Sequence, residues 1–115
     1  MIVKELYEQI QRTAKSGQDE FIAALDMTVR TLISRYGVRY VCLPGQPYVK
    51  PEGVNDEIPI CEEYFPAIID NILFMLTGDA ARKTDYVEEA RDAYKQVWSR
   101  RMRGARFVDR GYHHV

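Results

Sequence analysis

Basic residues do not dominate this chain: 16 lysines and arginines face 17 aspartates and glutamates, a formal net charge of −1. That balance argues against a nucleic-acid binder of the strongly basic kind. Cysteine is scarce too. Cys42 and Cys61 lie far apart with no second pair, so neither a zinc knuckle nor a redox Cys-x-x-Cys can be built. Both read as reduced side chains packed as small apolar groups. Histidine is confined to His113 and His114 beside the carboxyl end, where chains usually fray, and reads as solvated tail rather than metal ligand.

No run approaches the roughly 20 apolar residues of a membrane span; the longest candidate, Ala67 to Leu76, is broken by Asp70 and Asn71. The start, Met1-Ile2-Val3-Lys4-Glu5, becomes charged at once and lacks the pattern of a signal peptide. The expectation is a cytoplasmic protein with no membrane partner. Phosphate-cradling glycine loops, Gly-x-Ser-x-Gly elbows, His-Glu-x-x-His and calcium loops do not occur. Adjacent carboxylates do occur, as Asp56-Glu57, Glu62-Glu63 and Glu88-Glu89. Acid–base work requires two groups in different environments within a cleft, so these read as solvated faces. The sequence therefore predicts no enzyme, no catalytic, cofactor-binding or metal residues, and no cofactor.

What is present is the composition of a folded globular protein: 115 residues, 46% hydrophobic and 29% charged. The periodicity predicts a mostly α, four-helix domain over residues 1–103, with an extended or β-hairpin insertion between the second and third helices and a basic, flexible tail over 104–115. Val3, Leu6, Tyr7, Ile10 and Ala14 form a first apolar stripe at helical spacing. Gly17 reads as a left-handed stop and Asp19 as the next cap. A second helix follows on Ile22, Leu25, Val29, Leu32, Ile33 and Tyr36, ended by Gly37. Val38 to Leu43 reads as a strand and Pro44-Gly45-Gln46-Pro47 as a turn. Prolines 47 and 51 restrict any return strand to an edge, giving an arm over about 38–60. The third helix, about Glu62 to Thr77, is apolar nearly all round and so central to the core. Gly78-Asp79 then supplies a stop and a cap for a last helix, about Ala80 to Met102, with Val87, Ala90, Tyr94, Val97 and Trp98 inward.

Charge is unevenly placed. From Glu52 to Asp70 there are six acidic residues (Glu52, Asp56, Glu57, Glu62, Glu63, Asp70) and no lysine or arginine. From Lys95 to Arg110 there are six basic residues, including Arg100, Arg101, Arg103 and Arg106, against Asp109 alone. The arginines suit the negative end of a helix, or form a docking arm onto an acidic protein surface or phosphates, with Phe107 and Trp98 among them. If the acidic edge of one copy met the basic end of the next, the contact would be head-to-tail, closing into rings or running into filaments. Neutralisation within one molecule is the alternative.

The residues Asp56-Glu57-Ile58-Pro59, Glu63-Tyr64, Ala67-Ile68, Leu73, Thr77-Gly78-Asp79, Tyr86, Ala90, Ala93-Tyr94 and Trp98 form a pattern that resembles the small head–tail connector, or neck adaptor, proteins of tailed bacteriophages and prophages. The similarity covers roughly Asp19 to Arg103. It implies a virion structural protein that assembles below the portal as a ring of about a dozen copies, made in the host cytoplasm and resident in the virion neck. The ring would extend the channel through which DNA passes without sequence specificity, joining head to tail. The implied partners are further copies of the chain, the portal protein and the next neck or tail-completion protein. The resemblance maps portal docking onto Arg100, Arg101, Arg103, Arg106 and Phe107. It maps a subunit or channel contact onto Glu52, Asp56, Glu57, Glu62 and Glu63, whose carboxylates would let DNA slide rather than stick. The competing expectation is a small regulatory DNA-binding or protein-interaction module.

Overall fold

The computed structural model describes residues 1–113, with side chains through Arg103. The chain is mostly helical. Helix α1 (Val3–Gln11) buries Val3, Leu6 and Ile10, the expected stripe, and sets Tyr7 edge-on to Phe21 with ring centroids 5.1 Å apart. The link to the next helix is tied by Gln11, which donates to the Ser16 carbonyl at 3.2 Å and accepts from the Ser16 amide at 3.3 Å. Gly17 corrects one expectation: it is extended (φ −70°) and forms the N-cap of α2 (Gln18–Tyr36), so it is not a left-handed stop. Asp19 and Glu20 fall in the first helical turn, where the exposed amides favour negative charge.

α2 buries Phe21, Ile22, Ala24, Leu25, Thr28, Val29 and Leu32. Gly37 ends it with φ +90° and ψ 142°, a conformation essentially reserved to glycine. The chain then does something the sequence reading missed. Val38–Val41 forms a helical turn, α3, and not the expected strand. The run is short and apolar enough to suit either state, so packing decides. The turn buries Val41 and leaves Val38 exposed.

No β-hairpin forms among the described residues. Two isolated antiparallel bridges, Ile2 with Glu57 and Cys42 with Ile60, hold an extended segment against the body. Their hydrogen bonds are Val3 amide to Asp56 carbonyl (3.1 Å), Ile58 amide to Met1 carbonyl (2.9 Å), Leu43 amide to Pro59 carbonyl (2.8 Å) and Cys61 amide to Val41 carbonyl (2.9 Å). The expected turn at Pro44–Pro47 is present, with the Gln46 amide donating to the Leu43 carbonyl. Beyond it the Tyr48 hydroxyl donates to Asp26 at 2.7 Å, which ties the arm back to α2.

A 3-10 turn over Glu62–Tyr64 leads into α4 (Phe65–Thr77), with proline at the first turn, where its missing N–H costs nothing. α4 is the central element, burying Ala67, Ile68, Ile72 and Leu73. Gly78 closes it in the left-handed conformation (φ +75°), and Asp79 caps the next helix by accepting from the Ala81 amide at 3.0 Å. That helix, α5 (Ala80–His113), runs past the expected end near Met102 and packs along α4. Tyr86, Ala90, Ala93 and Val97 are buried. Trp98, expected inward, is 40% exposed. Each large aliphatic side chain in the shared core contributes about 1.5–3 kcal/mol.

Candidate functional site

The end of α2, the turn α3 and the part of α5 near Arg101 share one face rich in tyrosine and arginine. Tyr36 stacks on Tyr94 at 4.9 Å, Tyr40 meets Tyr94 edge-on at 5.5 Å, and Tyr36 lies 6.5 Å from Tyr64. The Tyr64 hydroxyl donates to the Tyr40 carbonyl at 3.1 Å, fixing the ladder's inner end. Burial pushes the Tyr64 hydroxyl well above the ordinary tyrosine range, so it remains a donor at any physiological pH.

Guanidinium groups surround the ladder. Arg39 and Arg101 both lie over the Tyr40 ring, at 5.7 and 5.9 Å, and Arg35 lies over Tyr36 at 5.8 Å. Stacking of this kind holds an arginine head in place while leaving its hydrogen-bonding edge available. From Met27 through Pro51 the chain carries Arg30, Arg35, Arg39 and Lys50 and no aspartate or glutamate; Arg30 is paired with Asp26 just before this stretch, so Arg35 and Arg39 are its cations on the tyrosine face. The cationic character of this face is therefore encoded in two stretches of sequence far apart. Only the α5 stretch stands out in a count of charge runs; the α2–α3 stretch is visible as an absence of carboxylates.

The residues singled out in the sequence do not all meet. Arg100 pairs with Glu63, joining α5 to the 3-10 turn, so part of the charge asymmetry is neutralised within the monomer. Arg101 donates to the Cys42 carbonyl at 3.0 Å and approaches the Cys61 sulfur at 3.7 Å. Arg103 is exposed. The side chains of Arg106 and Phe107, and both histidines' side chains, lie outside the described residues. Glu52, Asp56, Glu57 and Glu62 are exposed, and Glu63 is half-buried. Asp56 also serves a local purpose, accepting from the Glu52 and Gly53 amides at 2.8 and 3.3 Å.

Both cysteines are buried and reduced, and burial raises their thiol pKa values, which makes them poor nucleophiles. Among the described residues no cluster of three or more histidine, cysteine, aspartate or glutamate side chains has the geometry to hold a metal ion. No helix among them is long and apolar enough to cross a membrane.

A second polar cluster lies between α4 and α5. Asp70, buried on α4, accepts from Arg82 of α5 at 2.9 Å. Glu89 adjoins them and corrects the reading of Glu88-Glu89 as a solvated pair: its Oε1 is buried without a partner among the described residues. Burial first, and then the closeness of the Asp70 and Asp85 carboxylates, push the Glu89 carboxyl up to about 7. A proton kept on Glu89 lets it hydrogen-bond to Asp70 instead of repelling it. The cluster is an internal joint between two helices, with Arg82 supplying the counter-charge.

Comparison of the chain with protein-family models, curated proteins and solved structures gives no match.

Proposed function

We propose that this protein is a structural assembly subunit that joins copies of itself and neighbouring structural proteins, in the manner of a phage head–tail connector. The observation that supports this reading best is the separation of charge. Glu52 and Glu57 on the extended segment and Glu62 on the 3-10 turn are exposed, while Arg35 and Arg39 are exposed on the tyrosine face. Two unlike surfaces on one chain favour a head-to-tail contact, which closes into a ring when the rotation allows. Exposed Val38, Val49 and Trp98 supply apolar area of the kind such contacts cover.

Under this proposal the chain works mechanically. Arg103 is the residue left for docking on the portal, since in the monomer Arg100 is occupied by Glu63 and Arg101 by the Cys42 carbonyl. Glu52, Asp56 and Glu57 form the subunit or channel contact. Negative-stain imaging of concentrated protein tests the reading. Rings with a central hole wide enough for duplex DNA are expected, and a field of single compact particles at every concentration argues against it.

The tyrosine–arginine face also gives the DNA-binding alternative a specific footing, because arginine and aromatic rings together suit phosphates and bases. A gel shift at low salt separates the two: tight, salt-sensitive binding to duplex favours the alternative.

A further inference from the structure

Beside the tyrosine ladder an open cavity of about 530 Å³ lies between α3, the proline turn and α5. Val38, Leu43, Pro44 and Pro47 supply apolar walls, and Arg39 and Arg101 stand at its edge. The floor is rigid. Leu43 is pinned by its bond to the Pro59 carbonyl, and Cys42 by its bridge to Ile60. Both arginines rest on Tyr40, which is itself held by Tyr64 and Tyr94. Among the described residues no carboxylate forms an ion pair with either arginine.

We infer that this cavity is a docking site for a short acidic and apolar segment of a partner protein, one apolar side chain filling the pocket while flanking carboxylates pair with Arg39 and Arg101. The chemistry on both sides fits. Guanidinium forks match carboxylates bidentately, and an apolar cavity of this size takes a leucine or phenylalanine side chain. Interface energy concentrates where an anchor fills a pocket beside arginine and aromatic groups. Because Tyr40 already orders the two arginines, less side-chain entropy is lost on binding than at flexible surface arginines. Of the carboxylates nearby, Asp26 is engaged by Arg30 and the Tyr48 hydroxyl, and Glu57 borders the adjoining cavity on the far side of Leu43 and Pro47. On α5, Tyr94, Trp98 and Arg101 follow one another along one side of the helix, and the neighbouring carboxylate, Glu63, is engaged by Arg100.

The inference rests on the assembly reading for the identity of its partner as a protein, but its test does not require a ring. The full chain, kept dilute, is titrated into a fluorescein-labelled peptide of alternating glutamate and leucine, and anisotropy is followed. Saturable binding is expected, weakened about tenfold or more by Arg39→Glu, by Val38→Glu, and by replacing the peptide's glutamates with glutamine. Arg39 and Val38 are exposed, so neither substitution touches the core; Arg12→Glu, at the C-cap of α1, is the control and leaves binding unchanged. No binding, or binding indifferent to Arg39 and Val38, overturns the inference. Preferential binding of oligothymidylate, lost in the same variants, overturns it in favour of nucleic acid. A monomeric protein that binds the peptide keeps the docking site while removing the self-assembly reading; a ring that ignores the peptide does the reverse.

Discussion

The guanidinium of Arg101 reaches back across 59 positions of sequence to the carbonyl of Cys42, 3.0 Å away, and so fastens α5 to the end of α3. That carbonyl belongs to the C-cap residue of the short helix, where a cation is favoured by the unpaired carbonyls. The same side chain lies over Tyr40 and borders the apolar cavity. One residue thus couples the stability of the monomer to the shape of its docking face.

Arg101→Ala is expected to lower the stability of the monomer by about 1–2 kcal/mol, from one charge-assisted hydrogen bond and a partly exposed stacking contact. Arg101→Lys should recover part of it, since an ammonium keeps the charge but loses the planar fork. Urea unfolding followed by circular dichroism reads both.

Reversing the charge of Arg100, Arg101 and Arg103 together would not isolate a docking role, because two of the three hold the monomer. Arg103→Glu alone is expected to change stability by less than about 0.5 kcal/mol. Arg100→Glu should destabilise modestly, and Glu63→Arg added to it should restore the loss. A double-mutant cycle is expected to give a coupling below about 1 kcal/mol, as for other partly exposed pairs.

These two cases show how far the sequence carried. Apolar spacing located α1, α2, α4 and the buried part of α5, and glycines 37 and 78 marked two helix ends, because each signal is local. Charge counting found the acidic and basic runs but could not say that Arg100 meets Glu63, since pairing depends on how α5 lies against the turn before α4. Val38–Val41 went the other way: an apolar run that short carries no period, and burial of Val41 selected a helical turn over a strand. Trp98 sits on the flank of the α5 stripe, where periodicity does not distinguish covered from open positions. Glu89 looked like a surface residue because nothing in its neighbourhood announces Asp70.

Glu89 makes stability depend on pH. Its carboxyl is raised from an ordinary value of 4.5 to about 7 in the folded protein, so between those values the folded state holds a proton that the unfolded chain has released. Stability therefore falls as pH rises from about 4.5 to about 7 and levels off above. Glu89→Gln should remove that slope and be more stable than the parent at pH 8, the two converging below about pH 4.5. Thermal melts across this range check the sign; a parent whose stability rises through the window with no difference from the variant contradicts it.

Gly37→Ala is expected to cost about 1–3 kcal/mol, entirely from backbone strain at φ +90°, because open space surrounds the position where a Cβ would stand. Since Gly37 sets the direction of α3, the same variant should weaken peptide binding at the cavity by more than its stability loss alone explains. Unfolding and anisotropy measured on one preparation separate the two effects.

The central claim, that this chain is built to assemble through unlike faces, is tested most directly by its mass in solution, measured by light scattering on a sizing column over a wide range of protein concentration. The account predicts a mass that grows with concentration to a closed multiple of the single chain, and that returns toward one chain at high salt or with Arg39→Glu. A mass of one chain at every concentration and salt would contradict it.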